Sequence, residues 1–279
     1  MSRLLRIRHF LAGGAALALT AFCGQAASAA EQVDVELVLA VDVSLSMSPD
    51  ELEIQRKGYA EALTHPHVLQ AIADGVNGKI AVTYFEWAGV SSHHVIVPWT
   101  VIANAEDAQR VATALSVGPP NSARRTSIAA ALEFGADLFA ETSYRGLKRV
   151  IDISGDGPNN QGPPVSEIRD KVTAQGITIN GLPLMTNGGF ASAYDVSDLD
   201  RYYTDCVIGG PGAFMIPVND WSQFPEAIRR KLVLELAGNP RTVPAYGALP
   251  VVLAQAEPAT DCLVGEKMWR DRSWMWDSR

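Results

Sequence analysis

Three oxygen-bearing side chains recur at every second position near the start of the chain: Asp42, Ser44 and Ser46. They follow an apolar run, Val35 to Val41, interrupted by Glu36 alone. One carboxylate and two hydroxyls are hard oxygen donors, suited to Mg²⁺, with Mn²⁺ or Ca²⁺ as alternatives. A short apolar run rich in valine reads as a buried parallel strand. Pro49 stands where a helix can begin, and Asp50, Glu51 and Glu53 favour its first turn. The Asp-x-Ser-x-Ser group therefore belongs to a strand-to-helix loop at the carboxyl end of a strand, the edge where open α/β sheets bind ligands.

Two more residues could join this chemistry. Thr126 directly precedes the alanine-rich stretch Ser127 to Leu132. It reads either as the N-cap of a helix or as a further hydroxyl donor. Asp156 lies in Ser154-Gly155-Asp156-Gly157-Pro158-Asn159-Asn160, after the apolar strand Lys148 to Ile153. Asp-Gly is a common turn, and glycines on both sides of Asp156 let the backbone bend sharply and approach a ligand. Asp152, inside that strand, reads as structural or as facing a neighbouring loop.

Asp42-Val43-Ser44-Leu45-Ser46 resembles the metal-ion-dependent adhesion site of von Willebrand factor A domains. That family also uses a distant Thr before a helix and an Asp-Gly after its fourth strand, and Thr126 and Asp156-Gly157 fall in the same order. The resemblance implies that Ser44, Ser46 and Thr126 present hydroxyls to one divalent cation, with Asp42 and Asp156 completing the site directly or through water. It also implies capture of an acidic partner group by the cation. The sequence departs from the family where glycines usually precede the Thr: here stand Arg124 and Arg125. Two guanidinium groups form either a rim that attracts a carboxylate or phosphate, or an ordinary solvated surface. The Ser154–Asn160 run and Cys206-Val207-Ile208-Gly209-Gly210-Pro211-Gly212 further resemble an uncharacterised bacterial family of exported von Willebrand A-like proteins, over about residues 32 to 238. That narrower likeness implies no known activity.

The elements needed to position these residues alternate along the chain. Helices are expected over 51–63, 66–73, 105–115, from Ser127, 165–174, 199–206 and 221–237. Strands are expected over 35–41, 79–87, 94–99 (a hairpin partner of the preceding strand), 148–153, 177–184 and 213–218, the last at an edge. Asn187-Gly188-Gly189 reads as a loop. The alternation predicts an α/β fold, a doubly wound and mostly parallel sheet with helices on both faces, of Rossmann-like layering. From Asn239 the composition shifts to a segment punctuated by Pro240, Pro244, Pro250 and Pro258, ending in Met268-Trp269-Arg270-Asp271-Arg272-Ser273-Trp274-Met275-Trp276. Residues 239–279 are expected to form a mobile tail with an exposed aromatic patch; packing on the domain through Cys262 is the alternative.

Residues 1–30 read as a secretory leader: Arg3, Arg6 and Arg8, an apolar core Leu11 to Phe22, and Ala27-Ser28-Ala29 before a cut at Ala29 or Ala30. Bulky Phe22 before Cys23 fits a lipoprotein site poorly. A periplasmic or secreted protein with no transmembrane segment after processing follows. Removing the leader takes away three arginines and no acid, moving the formal charge from −8 to −11. Such a surface argues against nucleic acid or an anionic membrane as partners. The domain boundaries expected are 1–30, 31–238 and 239–279. In an exported protein the two remaining cysteines, Cys206 and Cys262, suggest one disulfide, with two buried thiols as the alternative. His65, His67, His93 and His94 lack a recognised zinc spacing. No nucleophile elbow, phosphate-binding Lys loop or Cys-x-x-Cys occurs in the sequence. The expected role is a binding module rather than an enzyme. An envelope assembly factor acting through its tail and a metal-dependent hydrolase are the alternatives.

Overall fold

The computed structural model describes residues 30–186, 196, 198–237, 250–254 and 260–277. Residues 1–29 of the expected leader, the Asn187-Gly188-Gly189 loop, and Pro240, Pro244 and Pro258 lie outside the described residues. Chain order is β1 (Glu31–Asp42), α1 (Pro49–Leu63), α2 (Pro66–Ala73), β2 (Ile80–Trp87), β3 (His93–Ile102), α3 (Ala105–Leu115), α4 (Ile128–Glu141) and β4 (Tyr144–Gly155). There follow α5 (Val165–Thr173), β5 (Ile177–Pro183), α6 (Leu199–Tyr202) with a π turn over Tyr203–Val207, β6 (Phe214–Met215), α7 (Phe224–Ala237), β7 (Val252–Leu253) and α8 (Val264–Asp277).

These strands form one sheet in the order β3-β2-β1-β4-β5-β6-β7. β2, β1, β4, β5 and β6 run parallel, while β3 and β7 are antiparallel edges. The period-two geometry of a strand divides the core into two layers. Val35, Leu37, Leu39 and Val41 of β1 join the core shared with α1, α2, α3 and α7. Val38 and Ala40 join Ile151 and Ile153 of β4 in the core shared with α4, α5 and the π turn. Burial on both faces explains why β1 reads as a nearly continuous apolar run rather than an alternating one.

The sheet order also fixes where ligand loops meet. The chain leaves β1 to build β2 and β3 on one side, then returns to lay β4 on the other. Strand order thus reverses beside β1, and the carboxyl ends of β1 and β4 flank the resulting crevice.

Two expectations need correction. The strand expected over 213–218 is Phe214–Met215 alone, and it is not an edge: β7 pairs with it, Phe214 facing Leu253 and Met215 facing Val252. The described part of the C-terminal stretch is docked on the domain rather than trailing from it. Cys262 is bonded to Cys206, and α8 follows directly. The physical reason lies in pairings that sequence spacing cannot reveal: an unpaired sheet edge beside β6, a covalent tether, and contacts from α8 to loops over one hundred residues earlier. Among the described residues no helix is long and apolar enough to cross a membrane.

Candidate metal centre

β1 ends at Asp42, whose side chain is fully buried. Its Oδ1 accepts the Ser44 amide at 2.7 Å, which turns the chain out of the sheet and presents Ser44 and Ser46 in succession. Gln55 of α1 donates to the Asp42 carbonyl at 3.1 Å and fixes the strand end from below. Ser48 then caps α1 in a reciprocal box with Glu51. The Asp-x-Ser-x-Ser loop is therefore held between a buried strand end and a well-capped helix.

The two hydroxyls and the second acid form a chain. Ser44 Oγ lies 2.9 Å from Ser46 Oγ, and Ser46 Oγ donates to Asp156 Oδ1 at 2.8 Å. Exposure rises from buried Ser44 to exposed Ser46, so the chain opens at the surface. Asp156 arrives on the loop after β4 because β1 and β4 are paired, Val41 against Ser154. Gly155 is required at that position: a Cβ would fall 2.9 Å from both Asp42 Oδ2 and the Tyr203 hydroxyl.

Thr126 comes from a third loop, tied to the other two by backbone bonds. Ala123 donates to the Val43 carbonyl at 3.2 Å and accepts from Leu45 at 2.9 Å, forming a parallel bridge beside Ser44. Asn160 grips Thr126 at both ends of its peptide: Oδ1 accepts the Thr126 amide at 3.0 Å, and the Asn160 amide donates to the Thr126 carbonyl at 2.9 Å. The N-cap of α4 is Ser127, whose Oγ accepts from Ala130. Capping therefore falls one residue after Thr126 and leaves the Thr126 hydroxyl out of that role.

The electrostatics are those of two acids sharing a small space. Burial pushes the Asp42 carboxyl well above the usual range, and the nearby Asp156 charge pushes it further, against the opposing bonds from Ser44 and the Asp156 amide. Asp42 Oδ2 is buried without a well-formed hydrogen bond, as are the Tyr203 hydroxyl and Trp87 Nε1. Burial, and then the Asp42 charge, raise the Tyr203 phenol well above its ordinary value.

This donor set fits a hard divalent cation. Adjacent ligands of an octahedral Mg²⁺ at about 2.1 Å lie roughly 3.0 Å apart. The spacings of 2.9 Å and 2.8 Å along Ser44, Ser46 and Asp156 match that edge length. An orphaned buried carboxylate oxygen beside them is a further donor awaiting a partner. The histidines are placed differently. His65 and His67 pack against each other at the start of α2, and His93 stacks on Phe134. Among the described residues no group of three or more His, Cys, Asp or Glu side chains comes together.

The two arginines before Thr126 are placed differently. Arg124 is exposed. Arg125 is half-buried, adopts φ 76°, and lays its guanidinium over the ring of Trp269 in α8. That left-handed conformation favours glycine and costs another residue about 1–2 kcal/mol. The loop keeps its glycine-like backbone, while the side chain is committed to the C-terminal helix. Asn159 and Asn160 were visible in the sequence as part of an unusual run, but their grip on the Thr126 loop was not.

The sheet order and its two helical layers define a von Willebrand factor A-like fold. The structure superposes on proximal thread matrix protein 1 from the mussel byssus with a TM-score of 0.55 and 15% identity, covering 74% of this chain and 49% of that one. A structure of the same mussel protein with a zinc-occupied MIDAS motif gives a TM-score of 0.51 at 17% identity, over 74% of this chain and 48% of that one. The pilus adhesin SpaC from Lactobacillus rhamnosus GG gives 0.54 at 14% identity, over 73% of this chain and 31% of that one. The match spans less than half the length of these proteins, and at such identities the likeness is one of fold. The chain itself belongs to the family described as protein of unknown function, DUF1194, which matches residues 32–240. No curated protein matches the sequence.

Proposed function

We propose that this protein is an exported binding module that holds one divalent cation, Mg²⁺ in the first instance, and uses it to engage an acidic group on a protein or peptide partner. The observation that carries the reading is the hydroxyl-to-carboxylate chain Ser44, Ser46, Asp156, open to solvent at its central Ser46, beside the orphaned Oδ2 of Asp42. Ser44, Ser46 and Thr126 would hold the ion through neutral oxygens, and Asp42 and Asp156 would supply the charge. A cation held largely by hydroxyls stays electrophilic, and a partner carboxylate can complete its shell. The zinc-occupied MIDAS of the mussel protein and the adhesin role of SpaC support the same reading by likeness of fold. Exposed Arg124 adds positive charge near the opening. Both carboxylates are engaged by loop hydrogen bonds, which suits binding rather than turnover. The leader expected over residues 1–30 supports a periplasmic or secreted location for this activity.

Calorimetry with Mg²⁺ and Mn²⁺ on the wild type and on Asp42→Ala tests the metal. Saturable binding by the wild type and its loss in the variant are expected; identical titrations of the two proteins would refute the site. Pull-downs from periplasmic extract, with Mg²⁺ or EDTA, test the adhesion step. Partners should be lost both in EDTA and with Asp42→Ala bait.

A further inference from the structure

The site as described leaves one well-built contact unused: the seat of α8 on the loops that carry Thr126 and Asp156. Gly265 lies so close to the 156–160 loop that a Cβ would run into the Asn159 carbonyl oxygen. Glu266 Oε1 accepts Asn159 Nδ2 at 2.7 Å. Asn159 is itself a junction: its Oδ1 accepts the Ala129 amide of α4 at 3.0 Å, and its amide donates to the Tyr202 hydroxyl at 3.2 Å. The next residue, Asn160, grips the Thr126 peptide from both sides. One turn further along α8, Trp269 lies beneath the guanidinium of Arg125, the residue held in a glycine-like conformation just before Thr126. The start of the helix is tethered twice, by the Cys206–Cys262 bond and by Thr260 Oγ1 donating to Asp205 Oδ2 at 2.7 Å.

These contacts converge on one loop from two sides. We propose that α8 is a tethered brace for the cation site, with Glu266 and Trp269 as positioning residues for the Thr126 loop and the Cys206–Cys262 bond as the element that keeps the brace seated. The proposal deepens the metal-binding reading and rests on it for its affinity readout. Glu266 acts through Asn159 and Asn160; Trp269 acts by holding Arg125 in a conformation an arginine would otherwise leave. Outer partners of this kind orient the groups that touch a metal, and their loss weakens metal binding by about ten- to a hundredfold. A reductant that cleaves the tether would loosen the brace and lower cation affinity without touching a ligand.

The test uses the full chain with its disulfide intact, Mn²⁺ titrated by electron paramagnetic resonance, and amide hydrogen exchange read at residues 123–127, 156–160 and 264–277. Glu266→Ala and Trp269→Ala should each speed exchange in both loops and weaken Mn²⁺ about tenfold or more. Glu266→Gln keeps an Oε1 acceptor and should track the wild type, whereas Glu266→Leu keeps bulk without the acceptor and should behave like alanine, which a merely space-filling role would not predict. Reduction of the wild type, which needs no substitution, should move both readouts in the same direction. Faster exchange confined to 264–277, with the loops silent and Mn²⁺ affinity unchanged, would overturn the brace and leave the metal reading intact. Loops that loosen as expected in a protein that never binds Mn²⁺ would uphold the brace as a structural device and sink the metal reading instead.

Discussion

At the scale of single residues, the division of labour between Thr126 and Ser127 is the sharpest local result. A hydroxyl just before a helix is ordinarily a cap, and here the cap is supplied one position later. Capping thus leaves the Thr126 hydroxyl uncommitted to α4, as the proposed cation site requires, while Asn160 holds its backbone. Thr126→Ser preserves that hydroxyl and should retain Mn²⁺ binding. Thr126→Val preserves shape without the oxygen and should weaken binding by about tenfold or more while the thermal midpoint stays near that of the wild type. Calorimetry beside a melting curve checks both; a Val variant that binds like the wild type would remove Thr126 from the donor set. The strand-end position of Asp42, Ser44 and Ser46 was legible from the apolar run before them, whereas Asp156, a plain turn residue in isolation, was joined to them by the resemblance to von Willebrand factor A domains. Asn160 was not, since its effect runs through a backbone bond to a residue 34 positions away. Arg125 was misread for a related reason: a charged side chain beside a binding loop looks like a rim until the Trp that covers it is found.

At the scale of elements, β4 is locked to α7 by a buried charge cluster. Period two sends Ile151 and Ile153 to one core and leaves Asp152 facing the other, where Lys231 of α7 lies 2.6 Å from its Oδ1. Lys231 also reaches Glu235 at 2.6 Å, and Glu235 accepts from Asn180 of β5 at 2.9 Å. Asp152, Lys231 and Glu235 are nearly or wholly excluded from water. Phe224, Ile228 and Leu232 give α7 its apolar face, but a lysine beside that face reads as solvated until its partner strand is known. Two acids against one base leave the cluster short of positive charge. Burial first, partly offset by Lys231 and then reinforced by Glu235, raises Asp152 to about 7. A carboxyl whose pKa is raised on folding contributes stability in full below its ordinary value of 3.8 and loses it as pH climbs through about 7. The wild type should therefore lose stability between mildly acidic and slightly alkaline buffer, and Asp152→Asn should remove its share of that slope. Urea unfolding at the two ends of the window measures it, and parallel pH profiles for the two proteins would count against the assignment. Lys231→Met strands two buried acids and should cost about 3–5 kcal/mol at neutral pH.

At the scale of the whole molecule, the described C-terminal stretch completes the domain rather than extending from it. Strand β7 covers the β6 edge, and α8 crosses back to the loops at the carboxyl end of the sheet. The prolines and the composition change suggested a boundary, and the cysteine pair pointed the other way; the bond at Cys206–Cys262 decides between them. That bond closes a stretch with a sequence separation of 56 residues. On the chain-entropy view, a loop of this size restricts the unfolded chain enough to stabilise the fold by about 4 kcal/mol. Cys206 itself is buried in the π turn, and Cys262 packs against the same core. The double substitution Cys206→Ser and Cys262→Ser removes the tether without leaving an unpaired thiol. It should lower the urea midpoint substantially, and because the slowest amides of β1 and β4 open with global unfolding, their protection should fall by the same free energy. A midpoint equal to that of the wild type would mean that α8 stays seated by Glu266, Gly265 and Trp269 alone, and that the bond adds no global stability. Protection lost only over residues 260–277, with β1 and β4 unchanged, would instead place the C-terminal stretch outside the cooperative core of the fold and confine the bond to the role of a tether for its last helix.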